Sequence, residues 1–140
     1  MWSFGLVPKI NQIFAKPGYP KHHPNTVVAN YSAAMHAKYE VLQLAIEENP
    51  FNTRYFCWLD IGLFRDISNS KKQFSMHLPP NFKNDSVAYQ QVYTLDPKAS
   101  PQSIIYNNMV WVCGCFFVAE ASVLYRWTLE YQVCSDSHLN

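Results

Sequence analysis

Apolar side chains recur at three- and four-residue steps from Tyr31 through Met35, Tyr39 and Leu42 to Ile46. That is the period of a helix with one buried stripe. Asn30 or Ser32 offers a capping side chain at its start. Asn49-Pro50 stops it, because the residue before a proline avoids the α region. The run Arg54-Tyr55-Phe56-Cys57-Trp58-Leu59-Asp60 is nearly continuous in apolar and aromatic residues and ends in a carboxylate. It predicts a strand in a sheet covered on both faces. Ile61-Gly62 turns the chain, and Leu63 to Ile67 predicts a short helix or loop. Residues 68–88 are polar and interrupted by Pro79-Pro80, which predicts a loop. A short strand is expected over Gln91 to Leu95, then a turn from Asp96 to Pro101. Val110 to Val118 predicts the second strong strand, with Gly114 inside it. A glycine there marks close approach of a ligand or another backbone. Val123, Trp127 and Tyr131 lie on one stripe of a helix expected over Glu120 to Gln132.

The flanks lack such periods. Pro8, Pro17, Gly18, Pro20 and Pro24 predict an irregular arm over residues 1–29. Residues 134–140 are expected to fray. Between them, residues 30–133 form one domain. Helix, turn and buried strand, with an acid at the strand's carboxyl end, is an α/β pattern.

Composition narrows the classes. At 140 residues the chain holds one small domain. Apolar residues make up 49% and charged residues 15%, too apolar for a disordered segment. The net charge is +1 with no basic stripe, which disfavours a nucleic-acid partner. The longest apolar run, Met109 to Ala119, is too short to span a bilayer, and Met1 to Val7 lacks the basic region of a signal peptide. Cys57, Cys113, Cys115 and Cys134 show no C-x-x-C spacing. Cys57 and Cys113 lie in apolar runs, where a thiol behaves as a small buried hydrophobe. A cysteine/histidine metal site would need at least three of Cys57, Cys113, Cys115, Cys134, His22 and His23 within coordination reach, and the spacing gives it no support.

Four stretches carry a resemblance: Tyr31 to Lys38, Asn49 to Asp66, Asn107 to Glu120, and Trp127 to Tyr131. The block from Asn49-Pro50-Phe51-Asn52-Thr53 to Trp58-Leu59-Asp60-Ile61-Gly62-Leu63-Phe64-Arg65-Asp66 is the most specific. Together they resemble the HtrL/YibB-like family of glycosyltransferase-like proteins, over roughly residues 20–133. The resemblance implies an incomplete GT-A-like (Rossmann-like) α/β sheet flanked by helices, with the irregular N-terminal arm outside it. It also implies a nucleotide-sugar donor, a glycan or other hydroxyl acceptor, and a divalent cation, Mn or Mg. The nucleotide-binding strand that opens such domains has no counterpart before Asn30, so the chain resembles a piece of one.

The residues support specific roles. Ligands of open α/β sheets bind beyond the carboxyl ends of the strands. Asp60 stands at such an end and could hold a cation that neutralises a departing nucleoside diphosphate. It is the expected catalytic and metal residue. The bland alternative is a carboxylate capping the next turn. A second acid is missing at Gly62, and Asp66 is the nearest candidate. Lys38 and Arg65 are expected to reach donor phosphates, one as a point charge and one as a fork. The alternative is surface solvation, or a pair of Arg65 with Asp66 or Glu120. Gly114 is expected to wall the sugar pocket. His36 is a weaker candidate for a base, and Glu120 reads as the acid of a helix's first turn. A non-catalytic binding or scaffold module is the competing reading of the whole chain.

Overall fold

The computed structural model describes residues 1–65, 73 and 75–139. The order is α1 (Trp2–Gly5), α2 (Val7–Phe14), α3 (Ala29–Glu48), β1 (Tyr55–Leu59), β2 (Ala88–Gln91), α4 (Pro101–Tyr106), β3 (Val112–Glu120) and α5 (Ala121–Leu139). The fold is mixed α/β. Its one sheet is antiparallel, in the order β1-β3-β2. Among the described residues, no helix is long and apolar enough to cross a membrane.

The sheet carries its helices on one face. Alternate residues of a strand point to opposite faces. Phe56 and Trp58 of β1 stand opposite Ala119 and Phe117 of β3, and Tyr89 of β2 also pairs with Phe117. These side chains meet Tyr39, Leu42 and Ile46 of α3 and Val123, Leu124 and Trp127 of α5 to form the main core. Phe117, Ala119 and Leu124 are fully buried. On the other face lie Tyr55, Cys57, Leu59, Phe116 and Val118, with no helix packed over them among the described residues. The loop around Phe82 covers part of it: Tyr55 donates to Asn84 at 2.8 Å and meets Phe82 edge-on. Among the described residues, helices therefore cover one face of the sheet and not the expected two, and Cys57, expected to be buried, is exposed.

The arm expected to be irregular is helical over Trp2–Gly5 and Val7–Phe14. Pro8 does not break α2 because it sits in the first turn, where its missing N–H has no helical partner to lose. Ile10, Leu6, Val7 and Phe14 pack on Ala29 and Ala33 of α3. Small residues four apart let the helices approach closely. Glu40 fastens the start of α1: one oxygen accepts from the Trp2 N–H at 2.9 Å, the other from the Ser3 hydroxyl at 2.9 Å and the Ser3 N–H at 3.2 Å. Burial pushes the Glu40 carboxyl up, but these bonds and the terminal ammonium together hold it below the usual carboxylate range.

Covered by α1 and α2 on one side and by the sheet and α5 on another, α3 has no single apolar stripe. Tyr31 and Met35 are each 37% exposed, while Ala33 and Leu42 are buried. The helix starts one residue earlier than Asn30, with Val28 at the cap position. It ends at Asn49 as expected, and the Asn49 side chain accepts from the Thr53 N–H at 2.9 Å. β2 lies ahead of the expected Gln91–Leu95 position. α5 runs on through residues expected to fray.

Candidate functional site

β3 is irregular where it passes β2. Tyr89 pairs with Phe117 but its neighbour Gln90 pairs with Cys113, so Gly114, Cys115 and Phe116 are left out of that ladder. Toward β1 the register stays regular, and the Asp60 N–H donates to the Cys115 carbonyl at 2.8 Å. A bulge re-aims the backbone locally, and here the Gly114 carbonyl turns to the α3 side of the sheet. An added Cβ at Gly114 would meet nothing within 4 Å among the described residues. Cys113 and Cys115 are joined as a disulfide, with Cα atoms 5.1 Å apart. An ordinary strand would hold next-but-one residues about 6.6 Å apart, so the bulge brings the two together. Cys113 is therefore not the buried free thiol its apolar run suggests.

Lys38 connects the parts. It projects from α3, is 8% exposed, and donates to both Asp60 oxygens at 2.9 and 3.0 Å and to the Gly114 carbonyl at 3.0 Å. An ammonium has three protons, and all three are placed. The Trp58 indole N–H donates to Asp60 Oδ1 at 2.6 Å, and the ammonium lies 5.5 Å from that ring's centre. Asp60, Gly114 and Lys38, far apart in sequence, thus form one rim at the carboxyl end of β1. The Asp60 side chain is 38% exposed, so the carboxylate faces solvent on the side the ammonium leaves open.

Asp60 does not cap the following turn with its carboxylate. Its backbone carbonyl does that work, accepting from the Leu63 N–H at 2.9 Å. Lys38, expected to stretch from a helix flank toward phosphate, is buried and engaged instead. Arg65 is exposed just past the turn, and its guanidinium folds back to 3.3 Å from where a Cβ on Gly62 would sit. Asp66 lies outside the described residues. Glu120 ends β3 instead of opening the helix, and pairs with Arg54 at 3.0 Å, not Arg65. His36 turns away from the rim: its ring is hydrogen-bonded to the Tyr131 hydroxyl at 2.8 Å, and burial lowers its pKa. His22 serves a turn, its N–H donating to Thr26 Oγ1 at 2.7 Å.

Two features went unread in the sequence. One is the indole of Trp58: residues two apart in a strand share a face, which puts its N–H beside Asp60. Arg54 as the partner of Glu120 was also missed, though both sit at the paired ends of β1 and β3.

The donor set does not fit a divalent cation as described. Such an ion needs several oxygen ligands, and here one carboxylate is held by an ammonium. Among the described residues, no three His, Cys, Asp or Glu side chains gather in a way that could hold a metal. A cavity of about 490 Å³ lies on the face of the sheet away from α3 and α5, lined by Tyr55, Cys57, Met76, Phe82 and Phe116 among others. It does not include the rim residues.

Residues 14–133 match the model of a family described as "Bacterial protein of unknown function (HtrL_YibB)". No curated protein and no solved structure matches the chain.

Proposed function

Because the chain belongs to the HtrL_YibB family, we propose that it is part of a glycosyltransferase-like domain whose sugar-donor site is the Lys38–Asp60–Gly114 rim. The GT-A-like character is part of the proposal. The observation that carries it is the convergence of a part-exposed carboxylate, its buried ammonium and a bare glycine at one strand end.

The chemistry follows from what each group leaves free. Lys38 and Trp58 fix the position of the carboxylate, so its exposed side can accept hydrogen bonds from sugar hydroxyls. Open space over Gly114 lets a ring approach the backbone. Arg65 is the cation of this chain nearest in sequence to the turn, and a guanidinium fork suits a diphosphate. A divalent cation would need Asp60 released from Lys38 and a further carboxylate, for which Asp66 is the candidate.

The test is calorimetric titration with a panel of nucleoside diphosphate sugars, with and without Mn²⁺. One donor is expected to bind, and Asp60→Asn to weaken it at least about tenfold, the loss of one charged hydrogen bond. Binding by no member, or equal binding by Asp60→Asn, contradicts the reading. A second reading has its own support. Every Lys38 proton is spent within the chain, as in a purely structural brace. A non-catalytic module of this kind would bind none of the panel and still be destabilised by Asp60→Asn.

A further inference from the structure

Among the described residues, the outer edge of β1 is open. The sheet order makes β1 an edge strand, and among the described residues no strand pairs with its far side. The bonds Asp60 N–H to Cys115 O and Ala121 N–H to Arg54 O set the parity of the ladder. In an antiparallel pair, alternate residues bond inward. Positions 54, 56, 58 and 60 are spent on β3, so the N–H and C=O groups of Tyr55, Cys57 and Leu59 point outward. Natural edges are usually guarded by lysine, proline or a bulge. Between Tyr55 and Leu59 this one has none.

The edge is complementary to itself. Placing a two-fold axis at Cys57 and running a second β1 antiparallel pairs Cys57 with its copy. Tyr55 then faces Leu59, Phe56 faces Trp58, and Arg54 faces Asp60. Two apolar pairs and one ion pair, each occurring twice, flank a central cysteine. Charges at the two ends of the strand have opposite sign and equal distance from the centre. Any register shifted by one step loses the ion pairs and exchanges the two faces. The Arg54 side chain is 63% exposed and Asp60 is 38% exposed, so both can reach a partner. Cys57 and Leu59 are exposed as well.

We propose that two copies of this chain join through antiparallel β1–β1 pairing centred on Cys57, making a continuous six-stranded sheet. Such an interface is isologous, the commonest symmetry of soluble oligomers. It brings the partner's Arg54 beside Asp60 and so adds a guanidinium to the rim. The pairing stands whether or not the rim binds a sugar nucleotide.

The experiment uses the full chain carrying Cys134→Ser, leaving Cys57 as the accessible thiol. Sedimentation over a concentration series is expected to show a monomer–dimer equilibrium. A short bismaleimide should then yield a covalent dimer linked Cys57 to Cys57 by peptide mapping. Leu59→Lys places a charge on the edge and should raise the dissociation constant at least about tenfold. Arg54→Glu sets like charges face to face and should weaken the dimer similarly. Glu120→Gln removes the Arg54 partner within one chain and should leave the dimer intact. A monomer at every concentration, a dimer indifferent to Leu59→Lys and Arg54→Glu, or crosslinking that needs Cys134 would each overturn the proposal.

Discussion

The Lys38–Asp60 pair is where single residues decide most. Asp60→Ala leaves a nearly buried ammonium with only a carbonyl and an indole face for company. Breaking a fully buried pair costs about 3–5 kcal/mol; with Asp60 part-exposed, a loss of about 2 kcal/mol is expected. Lys38→Met leaves a carboxylate that water can reach, so the loss should be smaller, about 1 kcal/mol. The double variant should lose less than the sum, as contacting residues do. Chemical denaturation of the four proteins checks this, and strict additivity would mean the pair does not interact. The placement of Asp60 at the end of a strand and of Gly114 within one was legible from the sequence, since a strand-end acid and a strand glycine are local signals. Lys38 was half legible. It was singled out as a cation, but the expectation that lysines extend into solvent hid its burial. The shared face of Trp58 and Asp60 was readable and was passed over.

At the scale of elements, α3 and its two coverings matter most. Ala33 has no exposed surface and abuts the α2 cluster. Ala33→Leu should overpack that contact and cost about 1–3 kcal/mol, seen as a lower melting temperature. An unchanged melting point would mean α2 does not pack there in solution. Glu40→Ala removes the acceptor for three donors at the start of α1. Amide exchange over residues 2–6 should then accelerate at least about tenfold, while the sheet is unaffected. The long elements were legible because their signals are local: α3 from its spacing and the Asn49-Pro50 stop, β1 and β3 from their apolar runs. The arm was misread because proline was counted without its position. Pro8 in a first turn is compatible with a helix, and the burial of Ile10 depends on alanines far along the chain. The placement of β2 depends on β3's bulge, which no local pattern announces.

For the whole molecule, the one-sided sheet explains why the expected double covering was wrong: an apolar strand states that it is buried, not by what. Titration of the core gives a stability window. The folded-state pKa of His36 is lowered by burial and that of Glu40 is lowered by its hydrogen bonds. Both contributions are present above the unfolded values and are lost as pH falls, His36 first, below about 6.5, and Glu40 below about 4.5. Burial raises Tyr39, Tyr89 and Tyr131, which pack in one aromatic cluster. Their contribution is full below the ordinary tyrosine value and is lost as pH rises past about 10. Melting temperature should fall on both sides of a neutral plateau, and Tyr131→Phe should blunt the alkaline limb. A flat profile above pH 10 would contradict that burial.

The rim has a built-in reporter, because the Trp58 indole N–H donates directly to Asp60. In a ¹H–¹⁵N spectrum of the ¹⁵N-labelled chain, the indole signals of Trp2, Trp58, Trp111 and Trp127 can be followed while nucleoside diphosphate sugars are added. A ligand held by Asp60 should move the Trp58 signal saturably, and Asp60→Asn should abolish the shift. If no sugar nucleotide moves it, or only the other three indoles respond, the rim is not the donor site.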